Sequence, residues 1–88
     1  MIATYVPIMR QNDYETFRRL MHSNIPDTYN EWRYLLQKLK DDAILRGETV
    51  REIEIYPDDL TRYASAHGTE YTMQTIKNLA FEKGGGNK

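Results

Sequence analysis

The sequence predicts an α+β fold, mostly helical, with its elements in the order β-α-α-β-α-α. Two short runs, at 2–8 and 49–56, alternate at period two, which is how a strand reads. Four longer stretches repeat apolar residues every three or four positions, which is how a helix with one buried side reads. Pro, Gly and capping residues fall between these stretches, where turns are needed.

The first run, Ile2 to Ile8, puts Ile2, Val6 and Ile8 on one face and Tyr5 on the other. Pro7 has no N–H to give a ladder, so it belongs at an edge or at the strand's end. Asn12 offers an N-cap with Glu15 three residues on, and Tyr14, Phe17, Leu20 and Met21 line one side of the helix that follows. Asn24 to Asp27 breaks that helix, and Thr28-Tyr29-Asn30-Glu31 has the T-x-x-E form of a capping box. The helix it opens carries Tyr29, Trp32, Leu36, Leu39 and Ala43, with Leu35 beside them, and should end at Gly47. In the second strand Ile53 and Ile55 share a face with Arg51. Val50, Glu52, Glu54 and Tyr56 take the other face, which is expected to meet water. Pro57 stops the strand, Leu60, Tyr63, Ala64 and His67 line a third helix, and Gly68 closes it. The fourth helix starts near Thr72 and carries Met73, Ile76, Leu79 and Ala80. Residues 1–83 therefore read as one domain, and 84–88 as a flexible Gly-rich tail.

Composition narrows the class. The chain has 88 residues, with 12 Lys and Arg against 13 Asp and Glu for a net charge of −1. No apolar run approaches the ~20 residues of a membrane span, and no secretory signal is expected at the start. The absence of Cys removes disulfides, thiolate zinc sites and thiol nucleophiles. The expectation is a small soluble protein in the cytoplasm, with no cofactor and no metal. So short a chain buries only about 60–65% of its unfolded surface. Two strands alone are also a poor sheet. They are expected to form a small sheet alone or across a homodimer. In the dimer, a strand edge or the Trp32-Leu36-Leu39 helix face would lie between chains.

Charge is distributed in blocks. Residues 1–40 carry a net +2, residues 41–59 a net −5 and residues 60–88 a net +2. The acidic block suits a solvated strand face that resists aggregation, a docking surface for a basic partner, or a divalent-cation site built from carboxylates, though nothing in it has the form of a calcium loop. His22 and His67 stand at helix ends, where the dipole favours a cation. Neither has a second ligand at metal spacing, neither lies in an H-E-x-x-H pattern, and Ser23 and Ser65 are not in a nucleophile elbow. The chain is therefore not expected to be an enzyme. An enzyme would need one of these imidazoles within hydrogen-bond reach of a carboxylate.

Residues 50–83 run from Val-Arg-Glu-Ile-Glu-Ile through Tyr-Pro-Asp-Asp-Leu and Gly68 to Ile76 and Ala80. This segment resembles a ribbon-helix-helix DNA-binding unit. The resemblance implies a repressor or antitoxin whose strands pair across a dimer and enter the major groove. It also implies that Glu52 and Glu54, or Arg51 with the register flipped, would face DNA. Two carboxylates there would repel phosphate, so nucleic acid is the lesser expectation.

The leading expectation is a non-catalytic protein-interaction or regulatory module. Seven Tyr are more than the apolar faces absorb. Exposed Tyr is common where a surface meets a partner. The partner surface is expected to involve Glu52, Glu54, Tyr56, Tyr34 and Tyr71. The partner itself, a second copy or another protein, is not named by the chain.

Overall fold

The computed structural model describes residues 2–85. Its elements are β1 (Ala3–Ile8), α1 (Gln11–Met21), a 3-10 turn (His22–Asn24), α2 (Tyr29–Leu45), β2 (Thr49–Glu54), α3 (Pro57–His67) and α4 (Met73–Lys83). The α+β class and the β-α-α-β-α-α order are those the sequence predicts.

The two strands pair with each other, in parallel, residue for residue from Ala3 against Thr49 to Ile8 against Glu54. A parallel pair needs a long crossover, and α1, the turn and α2 supply it. The small sheet thus forms within one chain. Helices lie on both of its faces. Tyr5 meets the ring of Phe81 edge-on at 5.2 Å, so the odd-numbered residues of β1 face α4. On the other face Lys40 of α2 reaches Glu52 at 3.3 Å, and Thr4 hydrogen-bonds the Glu48 carboxylate just beyond α2. Val50, expected to face water with Glu52 and Glu54, is half-buried against the core, because α2 crosses that face.

Most helix ends follow the sequence signals. The Thr28 hydroxyl accepts the Glu31 N–H at 3.1 Å. The box is not fully reciprocal, since the Glu31 carboxylate takes the Thr28 hydroxyl at 2.9 Å and not its backbone N–H. Gly47 (φ 78°) and Gly68 (φ 62°) adopt the left-handed turns that terminate α2 and α3. Pro57 is the first residue of α3, and Thr72 caps α4 by accepting the Thr75 N–H at 3.2 Å. The start of α1 differs. It begins at Gln11 with Arg10 at the N-cap and no side-chain cap, so Asn12 lies inside the helix. Asp13 serves the first turn instead, accepting from Arg10 Nε at 2.9 Å next to the positive end of the helix.

One apolar cluster draws on every helix and both strands, with Phe17, Met21, Trp32, Ile55, Leu60 and Ile76 fully buried. Within the single chain Trp32 and Leu36 are 0% and 5% exposed and Leu39 is half-buried against the core, so most of that helix face is covered by the chain itself. The Trp32 Nε1–H is buried without a hydrogen-bond partner among the described residues. Tyr14 fares better: its hydroxyl donates to the Pro26 carbonyl at 2.6 Å, and burial pushes its pKa up to about 12.

Gly84, placed by sequence in the tail, is the C-terminal cap of α4. Its N–H donates to the Ala80 carbonyl, and its Cα lies against the Tyr5 ring. Residues 86–88 of the expected tail lie outside the described residues.

Candidate functional site

Four of the five residues expected at a partner surface gather around β2. Tyr34 and Glu52 line one cleft of about 560 Å³ between the flank of α2 and the end of the sheet, together with Ile8, Arg33, Gln37 and Lys40. α2 places them because its buried stripe is Trp32, Leu36 and Ala43, which turns positions 33, 34, 37 and 40 outward or sideways. Tyr34 is 76% exposed. Arg33 has neither a hydrogen bond nor an ion pair among the described residues. Lys40 and Glu52 form a surface pair, worth little to stability.

Glu54 and Tyr56 continue from the end of β2. Glu54 stands 4.0 Å from Arg10, and its carbonyl accepts from Lys83 Nζ at 2.8 Å. The Tyr56 ring lies between two cations, Arg10 at 5.0 Å and Lys83 at 4.5 Å from its centre. Both favour the negative face of the ring. Lys83 also binds Asp59 at 2.6 Å. Burial tends to raise the Asp59 pKa, but the hydrogen bonds from Lys83 and the Tyr56 N–H, with the charges of Lys83 and Arg62, hold it below its ordinary value. The fifth residue, Tyr71, is elsewhere. It is half-buried against the core in the α3–α4 connection, and its carbonyl accepts from the Asn24 side chain at 2.7 Å.

The histidines part company. His22 follows α1 with φ 54° and ψ −123°, a positive-φ conformation outside the left-handed helical region and uncommon for a side-chain-bearing residue. It borders a shallow basic pocket with Arg18 and Arg19, where Glu15 and Asp27 supply the countercharge. His67 meets a carboxylate: its Nε2 is 3.6 Å from Glu82 Oε2, and its ring stacks on Tyr63 at 4.2 Å. Sequence reading missed this pair, because Glu82 lies on α4 and only the packing of α3 on α4 brings it close. Both side chains are 46% exposed, so water competes for each. The separation is longer than the ~2.6–3.2 Å of a formed hydrogen bond. No group of three or more His, Asp or Glu side chains that could hold a metal ion occurs among the described residues.

The strand-helix-helix order named by the ribbon-helix-helix resemblance is present as β2, α3 and α4, with β1 occupying one edge of β2. No family model, curated protein or solved structure matches the chain. No described helix is long and apolar enough to cross a membrane.

Proposed function

We propose that the chain is a non-catalytic protein-interaction module. Its contact surface is the cleft beside α2 and the adjoining length of β2, with Tyr34, Glu52, Glu54 and Tyr56 on it. The observation that carries the reading is Tyr34, a ring 76% exposed at the mouth of a cleft in which an unpaired arginine also stands. Tyr and Arg are the residues that most often anchor a protein interface, because each combines broad apolar contact with directional hydrogen bonds. Among the described residues neither Tyr34 nor Arg33 makes a side-chain hydrogen bond or ion pair that a partner would have to break.

The test is affinity capture from the native host with the wild-type chain and with Tyr34→Ala, each first shown to be folded by circular dichroism. A protein held by the wild type and released by the variant supports the reading. Equal capture by both places the contact elsewhere, and no specific capture by either removes it. The DNA alternative is disfavoured by charge, since Glu52 and Glu54 project from the strand that would approach phosphate.

A further inference from the structure

The two strands leave two outer edges, and they are not equivalent. The Thr49 N–H donates to the Ile2 carbonyl at 3.0 Å, and the Ile55 N–H to the Ile8 carbonyl at 2.9 Å. In a parallel ladder, alternate residues of a strand address the same neighbour. The odd-numbered residues of β2 therefore bond to β1, and Val50, Glu52 and Glu54 direct their N–H and C=O groups to the other side. By the same alternation the outer edge of β1 belongs to Ala3, Tyr5 and Pro7. Pro7 has no N–H, which closes that edge to a continuous ladder. On β2 only the Glu54 carbonyl is taken, by Lys83. The backbone groups of Val50 and Glu52 have no partner among the described residues.

A second copy is a poor occupant. Antiparallel pairing of β2 with itself about a two-fold axis keeps the faces of the sheet, so residues of equal parity oppose one another. Every central register sets like charges face to face: Glu52 on Glu52, Arg51 on Arg51, or Glu52 on Glu54. Each such pairing is unfavourable. The edge thus resists self-association while remaining open to a strand of different charge.

The geometry points to an extended segment of another protein adding as a third strand to β2, with basic side chains opposite Glu52 and Glu54, an apolar one between them opposite Ile53, and an acidic one next to these opposite Arg51. Its main chain would complete the ladder at Val50 and Glu52, as in other strand-addition complexes. Its basic side chains would rise on the face shared with Glu52, toward the cleft where Tyr34 offers an exposed ring. The inference rests on the interaction reading above and specifies the class of partner for the same surface.

The probe is a synthetic seven-residue peptide with Glu-Lys-Val-Lys-Glu at its centre and Val or Thr at each end. Its counterpart has Lys-Glu-Val-Glu-Lys at the centre. In ¹⁵N-labelled protein, titration with the first peptide is expected to shift the amides of Val50 and Glu52 and to slow their exchange with water. The charge-reversed peptide is expected to bind about tenfold more weakly. Glu52→Lys should shrink that preference while leaving the fold intact, and Val50→Pro should abolish binding by removing an edge donor. No shift at millimolar peptide, shifts confined to residues away from β2, or equal binding of the two peptides overturns the inference. If Val50→Pro does not fold, Glu52→Lys alone decides. Should the peptide fail while Tyr34→Ala still loses a captured partner, strand addition falls and the interaction reading stands.

Discussion

Gly84 is the position where a one-carbon change should do most to a surface-looking residue. Its backbone (φ −77°, ψ −2°) is ordinary helical geometry, so alanine meets no conformational penalty there. Intrinsic propensity alone favours alanine, by up to ~1 kcal/mol. Space decides otherwise. A Cβ at 84 would stand 2.5 Å from Tyr5 Cδ2, 2.6 Å from Tyr5 Cε2 and 3.0 Å from Ile53 Cδ1. Carbon atoms in good contact sit ~3.5–4.0 Å apart, so α4 and the sheet must separate by about 1 Å. The Tyr5 ring has little room to yield, lying against Phe81 on one side and under the Arg51 guanidinium at 5.5 Å. Overpacking of this size costs about 1–3 kcal/mol. After the propensity gain, Gly84→Ala should destabilise by about 1–2 kcal/mol, a fall in Tm of roughly 5–15 °C for a domain this small. Urea unfolding followed by the fluorescence of Trp32, the only Trp, measures it directly. In a Tyr5→Ala background the same substitution should be nearly neutral, because the ring that the methyl strikes is gone. A Gly84→Ala chain as stable as the wild type, or an equal loss in both backgrounds, refutes the packing argument.

Other consequences can be checked in the same way. Trp32→Phe removes a buried N–H that has no partner among the described residues, so it should cost well under the ~3–5 kcal/mol of Trp32→Ala; similar losses by circular dichroism would contradict this. Thr28→Ala should lower stability by about 1 kcal/mol through the lost cap on Glu31, whereas Asn12→Ala, inside α1, should change it by only a few tenths. Glu48 is held at about 2 by hydrogen bonds from Arg46 and Thr4, and Asp59 also lies below its ordinary value. Both bind protons more weakly when folded, so their contribution is complete above pH ~4.5 and is lost as pH falls from there toward 2. A urea midpoint flat between pH 5 and 2.5 would exclude it, and Glu48→Gln should flatten part of the slope. Tyr14 works in the opposite sense: with its folded pKa near 12, stability should drop as pH rises from ~10 to 12, and Tyr14→Phe should remove that drop.

Periodicity and punctuation made the elements readable before any coordinates. Strand and helix periods depend only on which neighbours along the chain share a side. Pro57, Gly47 and Gly68 restrict or free the backbone at their own positions. The cap read at Asn12 failed because α1 begins one residue before it, at Gln11, with Arg10 at the N-cap and no side-chain cap.

The candidate site was legible in parts. Tyr34, Glu52, Glu54 and Tyr56 stood out as residues the apolar stripes did not absorb. Nothing along the chain says that Tyr34 and Glu52 border one cleft, that Lys83 reaches Tyr56 and Asp59, or that Glu82 approaches His67. Those contacts join residues far apart in sequence, and they depend on how the helices settle on the sheet.

Local order along the chain was thus written in residue spacing, because backbone torsions and side-chain periods act over a few positions. The pairing of β1 with β2 in parallel, the burial of Trp32 inside one chain, the bare Cα required at Gly84 and the open edge of β2 came only with tertiary packing. Each depends on surfaces meeting across tens of residues. At that distance shape and solvent exclusion decide which contacts form, and no local preference can report them.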